Sequence, residues 1–427
     1  MKRSFFGFIK PRLTYEAIVD SDAEPADVPV SEKIQLLLDA PLEHSQDLAV
    51  AAGEHVKSGQ CLRATADSDD YGLASRSGKI TDVRPFIGMM QKKMTAVSIT
   101  VDPESEQVPD EEFKKQSKNP SLEAAACFLK GLPGKPDFSP FFDPGRRIKA
   151  IVVLGAEHDL LAITNQYFVK TSIESIKTGI DALRKMTGIQ NVILAVPEHL
   201  VQVAGAAGAG VKTVDSEYPT ANPELIVRHI LSDEIKAGGE GRNADVAFFN
   251  AEAVSAIGAA FNTGRLPLTK MATFISKDGS RRMVSVPMGT PVKNILDTFN
   301  ETLEEGDRLI FGGPMTGTAV YTIEQPVAAD TDVIMIQDSS RIPESSGTAC
   351  INCGECVRVC PVNIPVNILV RLLEAEQYEQ AAAQAELDAC IECGLCAFVC
   401  ESRIPIFQHI KLGKHMLERM KAEESNA

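Results

Sequence analysis

The sequence predicts a multidomain protein of mixed α+β and α/β structure that ends in an all-α, cysteine-rich domain. Three observations carry this prediction. The chain has 427 residues, which is more than one ordinary domain holds. Strand and helix patterns alternate through its middle part, as is typical of a parallel sheet covered by helices. Eight of the ten cysteines lie between Cys350 and Cys400.

Composition narrows the class of protein. Apolar residues make up 44% and charged residues 24%, so the chain can bury cores and is not disordered throughout. Lys and Arg total 43 against 58 Asp and Glu, and this net charge of −15 argues against a nucleic-acid partner. No run of 18 apolar residues and no signal peptide is recognisable, so we expect a cytoplasmic protein that reaches a membrane only through partners.

The pattern of strands, helices and turn residues divides the chain into six predicted segments. They are an N-terminal arm (1–30), a barrel-sandwich module (31–102), a linker with a Pro/Phe-rich loop (103–146), a Rossmann-like α/β domain (147–265), a β-grasp module of the SLBB type (266–340) and a ferredoxin-like domain (341–427). We expect the arm to be solvated, with docking on a partner as the alternative. The segment boundaries rest on Gly, Pro and charge clusters.

Local patterns support the individual segments. VKSGQ (56–60) and RSGKITDV (76–83) are similar to the two halves of a lipoyl-type barrel-sandwich. Those modules carry a lysine at a hairpin tip, but 67–72 contains none, which favours a structural role. Apolar residues from Ile173 to Leu183 recur at helical spacing, and Lys277-Asp278-Gly279-Ser280 predicts a β-hairpin.

Two cysteine cassettes with the same spacing dominate the C-terminal end. The first consists of Cys350, Cys353, Cys356 and Cys360, and the second of Cys390, Cys393, Cys396 and Cys400. Three cysteines separated by two residues wrap around one 4Fe–4S cube, and in two-cluster ferredoxins the fourth ligates the other cube. The spacing therefore predicts two clusters with crossed ligands. Cluster I takes Cys350, Cys353, Cys356 and Cys400, and cluster II takes Cys390, Cys393, Cys396 and Cys360.

Other interpretations of these cysteines fit less well. Structural zinc favours paired CxxC knuckles, and disulfides need no such regular spacing. Glu401 stands where the first cassette has Pro361, and this added negative charge could lower the potential of the nearby cluster. The apolar stripe of the final helix is predicted to be core, with a partner-binding face as the alternative. Its members are Ile406, Ile410, Leu417 and Met420.

The order of the modules, together with several short motifs, resembles the C subunit of Rnf electron-transport complexes (RnfC), which is related to the flavin subunit of complex I. The most distinctive motif is GGPMTG (312–317), where the family has GGPMMG. The other motifs are VKSGQ (56–60), SGKI (77–80), Gly155-Ala156-Glu157, Tyr218-Pro219, NAEAVSAI (250–257), GRLPL (264–268) and MGTPV (288–292). The resemblance covers almost the whole chain.

The resemblance also implies a flavin site, and here the sequence departs from the family. In the family the α/β domain binds FMN through a loop of the type GRGGAGFP and accepts hydride from NADH. This chain has GLPGKPDFSPFFDPGRR (131–147) at that place, and its prolines remove amide donors. Two further elements of the site are changed, to Glu157-His158-Asp159-Leu160 and Thr220-Ala221-Asn222-Pro223. The sequence therefore predicts that FMN and NADH binding are lost.

We therefore expect an electron-transfer subunit that relays single electrons through two clusters in an Rnf-like, membrane-associated complex. Its expected partners are other redox subunits of the complex, with a ferredoxin, flavoprotein or cytochrome as donor or acceptor. No catalytic or flavin-binding residue is assigned. The alternative is an FMN-dependent subunit that oxidises NADH and passes the electrons to the clusters. A non-redox scaffold would leave all eight cysteines without a role.

Overall fold

The computed structural model describes residues 11–41, 49–65, 68, 70–88, 92–103, 111–231, 245–342 and 345–425. It is a mixed α/β, multidomain architecture, as the sequence predicted. Three sheets of four or more strands follow one another along the chain, and a cluster of short helices closes it.

The first sheet is antiparallel and lies near the N-terminus. After β1 (Ala26–Asp27) come β2 (Lys33–Leu38), β3 (His55–Val56), β4 (Cys61–Leu62), β5 (Gly72–Leu73), β6 (Gly78–Ile87) and β7 (Lys93–Val101). Four of these strands form a sheet in the order β2-β7-β6-β3, while β4 pairs with β5. Every second residue of β2 is buried, so Ile34, Leu36 and Leu38 form one face of a small core.

The segment predicted as a linker contains two helices, α1 (Glu111–Gln116) and α2 (Leu122–Phe128). The hydroxyl of Ser121 accepts a hydrogen bond from the amide of Ala124 and caps α2. Phe113 of α1 packs edge-on against Phe261, which lies in the next domain. Sequence patterns missed these helices because both are short and are stabilised by contacts distant in sequence.

The middle of the chain forms a parallel sheet with helices, as the alternating pattern predicted. Its elements are β8 (Ala150–Leu154), α3 (Thr164–Thr171), α4 (Ile173–Thr187), β9 (Val192–Pro197), α5 (Val201–Ala204), β10 (Gly210–Val214), α6 (Pro223–His229), β11 (Val246–Asn250) and α7 (Ala251–Thr263). The strand order is β10-β9-β8-β11, and all pairs are parallel. Helices α4 and α7 touch through glycines, since a Cβ on Gly179 would lie 2.0 Å from the Val254 carbonyl oxygen.

A six-stranded sheet follows. Its elements are β12 (Thr269–Ile275), β13 (Arg281–Pro287), α8 (Val292–Phe299), β14 (Arg308–Phe311), β15 (Thr318–Val320) and β16 (Val333–Gln337). The order is β1-β13-β12-β16-β14-β15, and the predicted hairpin joins β12 to β13. Helix α8 covers one face, where Phe299 stacks on Phe274 with ring centroids 5.0 Å apart.

The cysteine-rich end consists of α9 (Glu355–Val359), α10 (Val366–Glu374), α11 (Tyr378–Ala385), α12 (Leu395–Phe398) and α13 (Ile406–Ser425). It is built as a repeat with an offset of 40 positions, in which α9 and α10 correspond to α12 and α13. The left-handed residues recur at the same offset. They are Asn352, Gly354 and Asn363 in the first copy and Glu392, Gly394 and Arg403 in the second. Ile406, Ile410 and Leu417 are buried, as the core interpretation of the stripe predicted, whereas Met420 is only half-buried.

The structure corrects the prediction of a solvated arm. Residues 13–18 lie across the carboxyl ends of the parallel strands, where the amide of Tyr15 donates to the Ser216 carbonyl. The amide of Ile18 donates to Gln166, which is itself buried, and Gln166 donates back to the Glu16 carbonyl. The acidic composition of the arm pointed to solvent, but Tyr15 and Ile18 pack on the α/β domain.

Candidate metal centre

The eight predicted cysteines surround two cavities, and each cavity mixes the cassettes. Cavity I is lined by Cys350, Cys353, Cys356 and Cys400. Cavity II is lined by Cys360, Cys390, Cys393 and Cys396. Each cavity therefore takes three cysteines from one cassette and the fourth from the other, in the grouping that the spacing predicted.

Local backbone geometry places the cysteines. Gly354 and Gly394 adopt φ of 76° and 73°, which a residue with a side chain rarely adopts, and each begins a short helix. Cys356 and Cys396 therefore lie in the first turn of α9 and α12. The fourth cysteine of each cassette follows its helix, where the chain turns towards the neighbouring cavity.

Burial changes the acidity of the thiols. It raises the pKa of Cys356 to about 11 and that of Cys393 to about 12, with smaller contributions from neighbouring cysteines. Burial likewise raises the pKa of Cys396 well above its ordinary value and raises that of Cys390. Iron binds thiolates, so loading of these cavities would release protons.

Four thiols around one small cavity fit the donor set of a 4Fe–4S cluster. Among the described residues, no three His, Cys, Asp or Glu side chains are placed to hold a single metal ion. A cube presents a separate iron to each thiolate, so its ligands stand around a cavity and do not converge on one point.

A partly buried ion pair lies at cavity II. Nζ of Lys414 donates to the carbonyl oxygen of Cys390 and to Oε1 of Glu392, both at 2.7 Å. Glu392 lines the cavity. At the corresponding place by cavity I, Asn367 donates to Asn352 at 2.9 Å, so that contact is neutral. The sequence analysis did not single out Lys414. The signal that could have found it is the repeat itself, in which the basic Lys414 takes the position of the acidic Glu374.

The body of the protein covers cavity II. Oη of Tyr218 donates to the carbonyl oxygen of Cys393 at 2.7 Å, and Asn222 donates to that of Ile391 at 3.3 Å. Met315 lies so close to Gly394 that a Cβ there would be 2.5 Å from the Met315 carbonyl oxygen. The ferredoxin-like end is thus attached to the α/β domain through the ligand loop of one cavity.

The distinctive loop GGPMTG (312–317) is held on two sides. Asp159 is buried and accepts hydrogen bonds from the amides of Met315 and Thr316, at 3.1 and 2.7 Å. On the other side, Nζ of Lys411 donates to the Thr316 carbonyl oxygen. The loop therefore joins the α/β domain to α13 and brings Met315 to cavity II.

The start of α7 and the proline-rich loop are hydrogen-bonded to each other and to α3. The amide of Ala253 donates to Oδ1 of Asn250, and that of Ala251 donates to Oδ1 of Asn165. Nδ2 of Asn250 in turn donates to the carbonyl oxygen of Gly134 in the proline-rich loop. Two amides at the start of α7 are thus already bonded.

Glu157 and His158, adjacent in sequence, point in different directions. Glu157 is buried, and its Oε1 accepts a hydrogen bond from the amide of Gln166 at 2.9 Å, whereas His158 is exposed. Burial raises the pKa of Glu157 to about 8. Glu157 also lines a cavity of about 680 Å³ at the carboxyl ends of β8, β9 and β10.

Comparisons with known proteins match two parts of the chain to family models. Residues 342–401 match the 4Fe-4S dicluster domain, and residues 128–266 match the NqrA second alpha/beta domain. Among solved structures, a chain of an NAD+-reducing NiFe-hydrogenase in the H2-reduced state overlaps 68% of this chain and 62% of its own, at 14% identity and a TM-score of 0.44. Similarity at this level does not bear on function.

Curated relatives align with most of the chain. The C subunit of the ion-translocating oxidoreductase complex of Rhodobacter capsulatus is 25% identical over 386 residues, which are 85% of this chain and 74% of the relative. The C subunit of the proton-translocating ferredoxin:NAD(+) oxidoreductase complex of Clostridium ljungdahlii is 23% identical, over 91% of this chain and 88% of the relative.

Among the described residues, no helix combines the length and the apolar character needed to cross a membrane. The cysteine cassettes, the mixed α/β body and the alignment over most of both chains agree with one another. The chain is thus a homologue of the C subunits of ion-translocating oxidoreductase (Rnf) complexes, as its motifs predicted.

Proposed function

We propose that the chain is an electron-transfer subunit of an Rnf-like oxidoreductase complex. The observation that carries this proposal is the pair of cavities, each lined by four cysteines drawn from both cassettes. Two bound 4Fe–4S clusters would let the chain accept and release single electrons. Cys350, Cys353, Cys356 and Cys400 would hold cluster I, and Cys360, Cys390, Cys393 and Cys396 would hold cluster II.

The chain's own residues attach and protect the cluster sites. Tyr218, Asn222 and Met315 close cavity II from the side of the α/β domain. Ile404, Ile406 and Val370 give cavity I an apolar wall. Exclusion of water by such walls is one way in which a protein sets the potential of an iron–sulfur site.

We further propose that FMN and NADH are not bound. A phosphate would need several free amides in the loop 131–145, and four residues of that loop are prolines. The amides of Gly134, Lys135 and Gly145 already donate within the protein, to Ala329, Leu132 and Asp143. At the start of α7, the amides of Ala251 and Ala253 likewise already donate, to the side chains of Asn165 and Asn250.

The charge of the nearby cavity supports the same conclusion. The cavity at the carboxyl ends of the parallel strands is lined by one histidine and four acidic residues, of which three contribute negative charge because burial raises the pKa of Glu157 to about 8. These are Glu16, Glu157, Glu198, Asp215 and His199. Flavin and nicotinamide nucleotides carry phosphates, which an acidic lining repels. Residues 15–17 of the arm also line this cavity.

We also propose an identity for each of the two β-rich modules. The antiparallel sheet β2-β7-β6-β3 with the β4–β5 pair is consistent with a barrel-sandwich module, and the six-stranded sheet under α8 with a β-grasp module of the SLBB type. We retain the six predicted segment boundaries, with helices α1 and α2 placed in 103–146. The expected location is the cytoplasmic face of the cell membrane, where other redox subunits would hold the chain.

One preparation tests the relay against the hydride-oxidising alternative. The protein is purified without oxygen, and its iron, acid-labile sulfide, flavin and visible spectrum are measured. We expect about eight irons per chain and no FMN, because two four-iron clusters are proposed. Stoichiometric FMN together with bleaching of the spectrum by NADH would overturn the loss of the flavin site. Absence of iron after anaerobic reconstitution would overturn the relay itself.

A further inference from the structure

The two copies of the cysteine repeat differ in how they are covered. Ile391, in the ligand loop of cavity II, is 8% exposed, whereas its counterpart Ile351 in the loop of cavity I is 63% exposed. Cys393 is buried, but its counterpart Cys353 is exposed. A Cβ on Gly394 would collide with Met315, while one on Gly354 would meet nothing within 4 Å. The ligand loop of cavity II is therefore covered by other parts of the protein, whereas the equivalent loop of cavity I is exposed to solvent.

The geometry points to a docking surface for a protein electron carrier at cavity I, and this inference rests on the proposed cluster-binding function. The surface, here called the cluster I face, consists of Ile351, Asn352, Cys353 and Gly354 together with Ile368 of α10. Ile368 is 46% exposed, and its neighbour Asn367 lines cavity I and bonds to Asn352. Apolar side chains exposed around a redox site are typical of a contact surface.

The pattern at cavity II indicates what the partner supplies. There, a tyrosine hydroxyl and an asparagine amide donate to the carbonyls of Cys393 and Ile391, and apolar side chains pack on the same loop. The repeat places the carbonyls of Cys353 and Ile351 at the corresponding positions. A partner that covers the cluster I face would therefore present apolar groups and hydrogen-bond donors at its centre.

The charges at the edge of the cluster I face select the class of carrier. Arg358 and Arg371 are exposed, and Arg371 lies one helical turn from Ile368. Arg403 is also exposed, and its carbonyl oxygen accepts from Ser346 next to the first cassette. The acidic residues here are Glu374, Glu401 and Glu355, and Glu355 pairs with Arg358. Exposed Arg371 and Arg403 give this edge two guanidinium groups that can pair with a carrier that has an acidic rim.

The step itself is a single electron transfer. With a cluster held by Cys350, Cys353, Cys356 and Cys400, one electron would pass between it and the redox centre of the carrier, so that one centre would be oxidised as the other is reduced. No bond is made or broken. Because electron transfer between proteins weakens steeply with distance, the carrier must approach the exposed loop of cavity I and not the covered loop of cavity II.

The test uses the anaerobic, cluster-loaded full chain and plant-type 2Fe–2S ferredoxin as an acidic probe. Stopped-flow mixing follows electron exchange in whichever direction is downhill, at low and high salt. We expect a saturable exchange that slows as salt rises. Arg371→Glu should slow it about tenfold at low salt and little at high salt. Ile351→Ser and Ile368→Ser should slow it at both salt concentrations.

Matched controls separate this surface from general effects. Arg419→Glu makes the same charge change on an exposed part of α13, and Tyr321→Ser removes a ring that is 76% exposed elsewhere. Both should exchange electrons as the unaltered chain does. Iron analysis must show full clusters in each variant. If Ile351→Ser loses iron, Ile368→Ser still tests the surface, because Ile368 lies outside the ligand loops.

Several outcomes would overturn the inference while leaving the relay in place. One is a set of cluster-loaded variants that all exchange at the rate of the unaltered chain. Another is an exchange with ferredoxin that does not saturate, or a preference for the basic carrier cytochrome c at low salt. Loss of iron from the unaltered chain would instead overturn the relay.

Discussion

Nζ of Lys414 lies 2.7 Å from Oε1 of Glu392, and this ion pair stands at cavity II, where Glu392 lines the wall. The same ammonium also donates to the carbonyl oxygen of Cys390. Opposite charges so close to a proposed cluster act in opposite directions on its potential, because a reduced cluster carries one more negative charge. This pair is therefore a sensitive point at which to test the proposed site.

Lys414→Met should lower the midpoint potential of cluster II, and Glu392→Gln should raise it. Each shift is expected to be on the order of tens of millivolts, since one unit charge near the cluster is removed. EPR-monitored redox titration measures both clusters, and cluster I should move much less. Arg419→Met, an exposed change on the same helix, serves as the control. Shifts of equal sign in the two variants would contradict this electrostatic account.

The crossed ligation makes a separate prediction. Cys400→Ser should perturb the EPR signal of cluster I, and Cys360→Ser that of cluster II, because each residue lines the cavity of the opposite cassette. Each variant should retain the signal of the other cluster. If Cys400→Ser instead altered the cluster held by Cys390, Cys393 and Cys396, the assignment of ligands would be wrong.

Tyr218→Phe should loosen the attachment of the ferredoxin-like end. The change leaves the buried carbonyl of Cys393 without its hydroxyl donor, at a cost of about 1–2 kcal/mol in the free energy of unfolding. Chemical unfolding followed by loss of the cluster absorbance measures this change. Tyr321→Phe, at an exposed ring, is the control. Equal stability of the two variants would show that the Tyr218 hydroxyl contributes nothing to the attachment.

Lys270→Met should destabilise the junction of the α/β domain and the six-stranded sheet. Lys270 is fully buried, pairs with Glu252 and lies 2.8 Å from Asp332. Burial favours the neutral amine, but the two carboxylates outweigh it and raise the pKa of Lys270. Removal of the cation leaves a buried carboxylate uncompensated, which costs about 3–5 kcal/mol. Chemical unfolding followed by circular dichroism measures this loss in the free energy of unfolding. As the control, Arg84→Met removes an exposed ion pair with Asp82 and should change that free energy little.

Glu157 should make stability depend on pH. Burial raises its pKa from 4.5 to about 8, so between these values the unfolded chain ionises this group while the folded chain keeps it protonated. The folded state then binds more protons, and stability falls as pH rises from about 4.5 to 8, by at most about 1.4 kcal/mol per pH unit. Glu157→Gln keeps an acceptor for Gln166 and cannot ionise. Relative to the unaltered chain, its unfolding midpoint should therefore rise between pH 5.5 and pH 8. A constant difference across this range would show that Glu157 is already ionised.

Much of the architecture could be predicted because it depends on local patterns. Strand and helix alternation indicated the parallel sheet, and Lys277-Asp278-Gly279-Ser280 marked the hairpin between β12 and β13. Helices α1 and α2 could not be predicted, because they are short and packed by residues distant in sequence, as Phe113 is by Phe261. The arm was expected in solvent for the same reason, since its partners Ser216 and Gln166 lie about 150 or more positions away.

The candidate site divides in the same way. The sequence by itself determined the eight cysteines and their grouping, because the spacing of ligands around a cube is a local property of the chain. Only the tertiary structure decided that Tyr218 and Met315 cover cavity II and that the loop of cavity I is exposed. It also decided that Lys414 pairs with Glu392. Such contacts arise where separate elements meet, and no spacing within either cassette encodes them.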